Sequence, residues 1–203
     1  MSIRDQLQSY ASLRLNRKPN PLVVDALKSM PFRCGRALDI GAGALSDTRH
    51  LLQAGMTVDA VDTDPLTAKL AARLGHPCLN AMHEDVRRIA IPPAAYALIV
   101  AIHVLPFLPR VECSAIISAI INGLADDGIL CGTLFGVRDG WAGNRALMTF
   151  VSKSEAASYF THLLPIVFSE AEYDGIDAYD RPKHWHVFRF ILRKPSRPAP
   201  TQA

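Results

Sequence analysis

The apolar positions of this chain change rhythm near residue 36. Beyond it, short apolar runs at Ala37–Ile40, Thr57–Val61, Tyr96–Ala101 and Ile129–Phe135 alternate with longer amphipathic stretches. Such alternation predicts βαβ units built on a parallel sheet. Tyr96–Ala101 has no polar alternation, the pattern of a central strand covered on both faces. The intervening stretches carry helix stop and start signals. A helix over Asp47–Ala54 is closed by Gly55, and Pro65 opens another that runs to Leu74 and stops at Gly75. A short third strand is predicted at Cys78–Ala81, and an apolar helix over Glu112–Leu124 is ended by Asp126-Asp127-Gly128.

The pattern loosens after Phe135. A loop containing Gly136, Gly140 and Gly143 leads to a predicted helix over Ser154–Leu163, then to strands at Ile166–Tyr173 and Trp185–Arg193. The connection between these last two is too short, and too rich in Asp, Gly and Pro, for a crossover helix, so the pair is expected to be antiparallel. Near the start, Asn20 before Pro21 predicts a capped helix with Leu22, Val23, Ala26 and Leu27 on its apolar face. The expected organisation is a helical extension or lid over 1–33, one α/β domain over 34–194 and a mobile Pro-rich tail over 195–203. Its sheet is expected to be Rossmann-like, seven-stranded and mainly parallel, with an antiparallel C-terminal strand.

Composition narrows the function classes. The chain has 203 residues, 49% hydrophobic and 20% charged, enough for a real core in one domain. A net charge of +3 gives no basic face with which to neutralise phosphates, so nucleic acid is not an expected partner. No apolar run reaches the ~18 residues of a membrane span, and the start Met1-Ser2-Ile3-Arg4-Asp5-Gln6 is polar with no apolar stretch behind it. Cys34, Cys78, Cys113 and Cys131 lie far apart and read as buried free thiols, which points to a soluble, cytoplasmic protein. Oligomeric state leaves no mark on the sequence.

The most informative stretch is Leu38-Asp39-Ile40-Gly41-Ala42-Gly43-Ala44-Leu45-Ser46. A glycine-rich turn between a first strand and a helix lets backbone N–H groups approach a ligand closely. Nucleotide-phosphate sites favour an apolar residue two positions before the first glycine, because a carboxylate repels a pyrophosphate. Asp39 stands there instead and suits a cationic amino group. Asp62 ends the second strand at the spacing of a carboxylate that accepts both ribose hydroxyls. A cationic ligand bearing a ribose fits both acids.

These residues, with the later Glu84-Asp85-Val86, resemble the successive motifs of class I S-adenosylmethionine-dependent methyltransferases. The resemblance spans about residues 34–194 and implies that S-adenosylmethionine is the cofactor. It implies cofactor contacts from Asp39, Gly41, Ala42 and Gly43, from Asp62 and Thr63, from Asp85 and Val86, and from Ala101 where the fourth strand ends. Lys183-His184-Trp185-His186-Val187-Phe188 and Asp139-Gly140-Trp141 further resemble small bacterial methyltransferases of the tellurite-resistance type. Two positions depart from the family pattern: Leu45 replaces the third glycine, and Ala97 replaces an acid of the fourth strand.

His103, following the fourth strand, is the candidate base or acceptor-orienting residue, against a purely structural role lining the cofactor pocket. Trp141 is a candidate wall of the acceptor pocket, and Tyr10 and Arg14 candidates for a lid over it. His184 and His186 share a strand face, and Glu172 and Asp180 are possible third ligands, but without H-x-x-x-H or cysteine spacing no metal is expected. With most of the chain assigned to the cofactor fold, the expected acceptor is a small molecule. Two alternatives stay open: a nicotinamide-dependent oxidoreductase, since Gly41-x-Gly43-x-x-Ser46 is one residue from a dinucleotide fingerprint, and a non-catalytic protein that binds S-adenosylmethionine.

Overall fold

The computed structural model describes residues 11–12, 15, 17–31 and 34–196. Tyr10, Arg14 and the tail beyond residue 196 lie outside the described residues.

Helix α1 (Pro21–Lys28) starts where the Asn20 side chain accepts the Leu22 N–H at 3.0 Å and Pro21 takes a position that needs no donor. Strand β1 (Arg36–Ile40), α2 (Ser46–Gln53) and β2 (Thr57–Asp62) follow. Helix α3 (Pro65–Leu74) is capped by Asp64 and stopped by left-handed Gly75, as the punctuation requires. Then come β3 (Leu79–His83), β4 (Tyr96–Ala101), α4 (Arg110–Gly123) and β5 (Leu124–Gly136). Strand β6 (Phe150–Val151), α5 (Lys153–Ser158), β7 (Leu164–Ile176) and β8 (Pro182–Arg193) complete the described elements.

The strands form one sheet in the order β3-β2-β1-β4-β5-β8-β7, with β6 paired to the end of β5. All pairings are parallel except those of β8, which runs antiparallel to both β5 and β7. One apolar layer lies between the sheet and α4 with α5, where Ile117, Ile120, Leu134, Phe160 and Phe188 meet. The other lies beneath α1 and α2, where Val23, Leu27, Leu51, Leu98 and Ile191 meet. Winding reverses between β1 and β4, and open α/β sheets bind ligands at the carboxyl ends flanking such a reversal.

Several boundaries differ from the sequence reading. α4 begins at Arg110 and ends at Gly123, so Asp126-Asp127-Gly128 falls inside β5 rather than closing the helix. Strand pairing decides this: fully buried Leu124 pairs with Tyr96, so the chain has entered the sheet before Asp126 is reached. β3 is shifted to Leu79–His83, and the helix expected over Ser154–Leu163 is the shorter α5, set by a capping box between Ser152 and Glu155. β6 gives the sheet an eighth strand, too short to leave a periodic signal. Cys113 and Cys131 are buried, but Cys34 and Cys78 are exposed because both precede edges of the sheet rather than lying in its strands.

Leu45 explains the missing third glycine. It caps α2 with φ 62°, a left-handed conformation that glycine adopts freely, yet its side chain is fully buried against Ala42, Ala60 and Ala71. Relief of a left-handed residue is worth roughly 1–2 kcal/mol, whereas truncating a buried Leu costs about 2–5 kcal/mol. Burial therefore wins. Leu45→Gly should lower unfolding free energy by about 1–4 kcal/mol, and Leu45→Ala, which loses the side chain without relieving the backbone, should be at least as damaging. Urea denaturation of the two variants checks this ordering.

Candidate functional site

The turn after β1 is shaped by close approach. Gly41 has φ 74°, and a Cβ there would stand 2.2 Å from Val104 Cγ2, so both conformation and space exclude a side chain. The Gly43 N–H donates to Asp62 Oδ2 at 2.7 Å, and the other Asp62 oxygen accepts the Asp64 N–H at 2.8 Å. The ends of β1 and β2 are thereby tied together around the turn.

A cavity of about 60 Å³ lies against this turn, lined by Asp39, Gly41, Gly43, Ser46, Asp47 and His103 and closed on one side by Arg17, Lys18 and Asn20. Asp39 is only 2% exposed and accepts the Thr48 hydroxyl at 2.6 Å. Burial, reinforced by the neighbouring charges of Asp47 and Asp62, pushes its carboxyl up to about 7. Burial also raises Asp47 and Asp62 above the ordinary range, against backbone N–H groups that pull both down. Ser46 Oγ is buried at the same place with no hydrogen-bond partner among the described residues. The cavity thus sets buried acids and an unsatisfied hydroxyl beside Arg17 and Lys18, so its lining carries both signs of charge and can meet a ligand end that does the same.

The cavity brings together Asp39, Gly41, Ala42, Gly43 and His103. Asp62 is joined to it through Gly43, and Thr63 stands exposed beside Asp62 with its carbonyl 2.9 Å from His83 Nε2. Asp85 lies further along the edge, held in a fork by Arg87, which also reaches Glu112 at 2.8 Å. The Arg87 guanidinium keeps the Asp85 carboxyl below its usual range. Val86 and Ala101 are buried.

His103 leaves β4 with φ 52°, its N–H donating to Thr133 Oγ1 at 2.8 Å. Its ring lies 5.9 Å from Phe135 and 6.0 Å from Trp185. Trp141 joins the same group, 6.1 Å from Phe135 and 5.9 Å from Trp185. His184 Nδ1 pairs with Asp174 and Nε2 with Glu172, and these carboxylates raise the imidazole above its ordinary value. His186 Nδ1 accepts the Arg138 N–H at 3.1 Å, which leaves Nε2 to donate to Glu170 at 2.9 Å. Gly136 makes this possible, because a Cβ there would stand 2.0 Å from His186 Nδ1.

The sequence reading missed a buried ion pair. Lys183 Nζ meets both Asp139 oxygens at 2.7 Å, with side-chain exposures of 1% and 0%. The ammonium lies 3.5 Å from the Trp185 ring centre and 4.2 Å from that of Trp141, and Asp139 also accepts the Trp141 N–H at 3.0 Å. Desolvation lowers the Lys183 ammonium from its ordinary value, against the pull of Asp139. The pair fastens the loop after β5 to β8 and orders the aromatic group beside His103. Neither residue carries a local signal: Lys183 is one of several polar residues in β8, and Asp139 lies in a loop.

Residues 38–131 match the family model described as a methyltransferase domain. That match spans a little under half of the chain. Among solved structures, the fold is similar to that of 1,6-didemethyltoxoflavin-N1-methyltransferase of Burkholderia thailandensis, crystallised with 1,6-didemethyltoxoflavin and S-adenosylhomocysteine. That match has a TM-score of 0.69 and 21% identity over 95% of this chain and 87% of the other. TehB of Haemophilus influenzae gives a TM-score of 0.73 at 18% identity, over 93% of this chain and 67% of TehB. The N-methyltransferase NodS of Bradyrhizobium japonicum, solved with S-adenosylhomocysteine, gives 0.64 at 16% identity, over 93% of this chain and all (100%) of NodS. No curated protein sequence matches the chain significantly. Among the described residues, no helix is long and apolar enough to cross a membrane.

Two outcomes follow from this geometry. Lys183→Met leaves Asp139 buried and unpaired and should cost about 3–5 kcal/mol of stability; adding Asp139→Leu should restore part of it, as read by urea denaturation. For Asp39, a folded-state value above the unfolded one means that the native chain binds the extra proton, so stability falls as pH rises from about 4 to about 7. Asp39→Asn removes this contribution, so the loss of stability between about pH 5 and about pH 8 should be smaller than in the parent.

Proposed function

We propose that this protein binds S-adenosylmethionine at the turn after β1 and transfers its methyl group to a small-molecule acceptor. The observation that carries this reading is the buried Asp39 carboxylate at the cavity, beside a glycine turn that admits no side chain at Gly41. The residues fit the cofactor in kind. Asp39 and Ser46 supply an acceptor and a hydroxyl for its amino-acid end, and Asp62, whose oxygens each keep accepting capacity, suits its ribose hydroxyls. Asp85 with Val86 would take the adenine, Asp85 having acceptor sites beyond those used by Arg87. Ala42, Thr63 and Ala101 complete the expected contact surface.

When bound, S-adenosylmethionine supplies an electrophilic methyl on a sulfonium, whose charge disappears as the acceptor's lone pair forms the new bond and the carbon–sulfur pair returns to sulfur. The chain's part is alignment and exclusion of water. His103, fixed by its bond to Thr133, orients the acceptor and can take a proton from one that loses it. Trp141 serves as a wall. The acids at the cavity disfavour the pyrophosphate of a nicotinamide dinucleotide. The cysteines are free, which supports a reducing, cytoplasmic setting.

Calorimetry with S-adenosylhomocysteine tests the reading: the folded parent should bind it, and absence of binding would overturn the assignment. Asp62→Asn keeps the shape but not the charge, and should weaken binding by roughly 10- to 100-fold, the worth of hydrogen bonds to a charged acceptor. Appearance of S-adenosylhomocysteine from S-adenosylmethionine, across a panel of thiols, amines, phenols, carboxylates and metalloid oxyanions, separates an enzyme from a non-catalytic binder.

A further inference from the structure

Beyond His103 the same face of the sheet continues into a platform that the cofactor reading does not use. Residues alternate across a strand, so Thr133 and Phe135 of β5 share one face, as do Trp185 and Arg189 of β8. Thr133 pairs directly with Arg189, and Trp185 with Tyr173 of β7. From the His103 ring the path runs 6.0 Å to Trp185 and a further 6.5 Å to Tyr173, whose plane lies 20° from that of Trp185. The Arg189 guanidinium ends the path, 5.9 Å from the Tyr173 ring and 3.4 Å from its hydroxyl. The Trp185 N–H donates to the Ile176 carbonyl, so this ring is fixed rather than free to rotate.

The cofactor end carries both signs of charge, Asp39, Asp47 and Asp62 together with Arg17 and Lys18. At the other end stands Arg189, with no carboxylate in ion-pair range among the described residues, whereas Arg138 on the opposite face is held by Glu170 and Glu172. Lys183 already stands over one face of Trp185 and one of Trp141, so a cationic acceptor beside them meets two like charges, Lys183 and Arg189.

We propose that the acceptor is a flat aromatic acid that lies along Trp185 and Tyr173, its carboxylate on Arg189 and its nucleophilic atom turned toward His103. This rests on the methyl-transfer reading for the identity of the occupant, not for the platform itself. Arg189 orients the molecule: the anion is drawn to a guanidinium whose fork matches a carboxylate. The aromatic walls select a planar body.

Both tryptophans of the chain, Trp141 and Trp185, stand at this site, so intrinsic fluorescence reports its occupancy. The full-length protein is titrated with 3-phenylpropionate, its neutral amide and 3-phenylpropylamine, as probes matched in shape and differing in charge. The acid should bind at least about tenfold more tightly than the amide, and the amine most weakly. In Arg189→Gln the acid and amide should converge to within about twofold, with Arg189→Lys intermediate and S-adenosylhomocysteine affinity by calorimetry unchanged. Equal binding of acid and amide by the parent, a preference that survives Arg189→Gln, or quenching by none of the probes overturns the proposal. Failure of the parent to bind S-adenosylhomocysteine, with the acid preference intact, overturns the cofactor reading alone.

Discussion

A carboxylate kept dry at the end of a parallel strand organises this molecule. Asp39 belongs to β1, which is hydrogen-bonded on both sides and covered on both faces, so its side chain has only Thr48 and the cavity with which to meet its polar demand. An ionised acid in that position is costly. Burial therefore pushes the carboxyl up to about 7, beside a turn whose Gly41 leaves no room for a side chain. The tie from Asp62 to Gly43 N–H sets the neighbouring strand end in the same frame, and Leu45 anchors the turn from beneath by burying itself in a backbone conformation suited to glycine.

The second organising interaction lies across the sheet. The Lys183 and Asp139 pair is too buried to be a surface ornament, and burying two charges yields little net stability even when they are well matched. Its structural consequence is specific: it brings the loop after β5 onto β8 and holds Trp141, Trp185 and Phe135 around one ammonium, next to His103. The antiparallel β8 is what makes this possible, since it carries Lys183 back to the same sheet edge at which β4 and β5 end. The cavity at the β1 turn and the aromatic group around Lys183 thus meet at His103.

How far the sequence could be read depended on whether a signal was local. Asn20-Pro21, Asp64-Pro65 and Gly75 act on their own backbone, and the helix ends they mark stand where expected. The apolar run Tyr96–Ala101 needed no context, because a strand buried on both faces has a composition of its own. Asp126-Asp127-Gly128 does not close α4, because Leu124 is already paired with Tyr96 in the sheet. Exposure of Cys34 and Cys78 was likewise a matter of where β1 and β3 begin rather than of residue type.

By itself the sequence determined the βαβ order, the glycine turn and the acids at successive strand ends, because spacing along a chain of alternating elements carries each of these to the same sheet edge. Only the tertiary structure decided which groups meet there across long separations. Lys183 finds Asp139 from 44 positions away, His103 finds Thr133 from 30, and Arg189 comes to lie opposite Thr133 across the ladder. The physical reason is that strand register and face are collective properties of the sheet. A residue's side of a strand is written in its own sequence, but its neighbour across the ladder is chosen by how every strand between them packs.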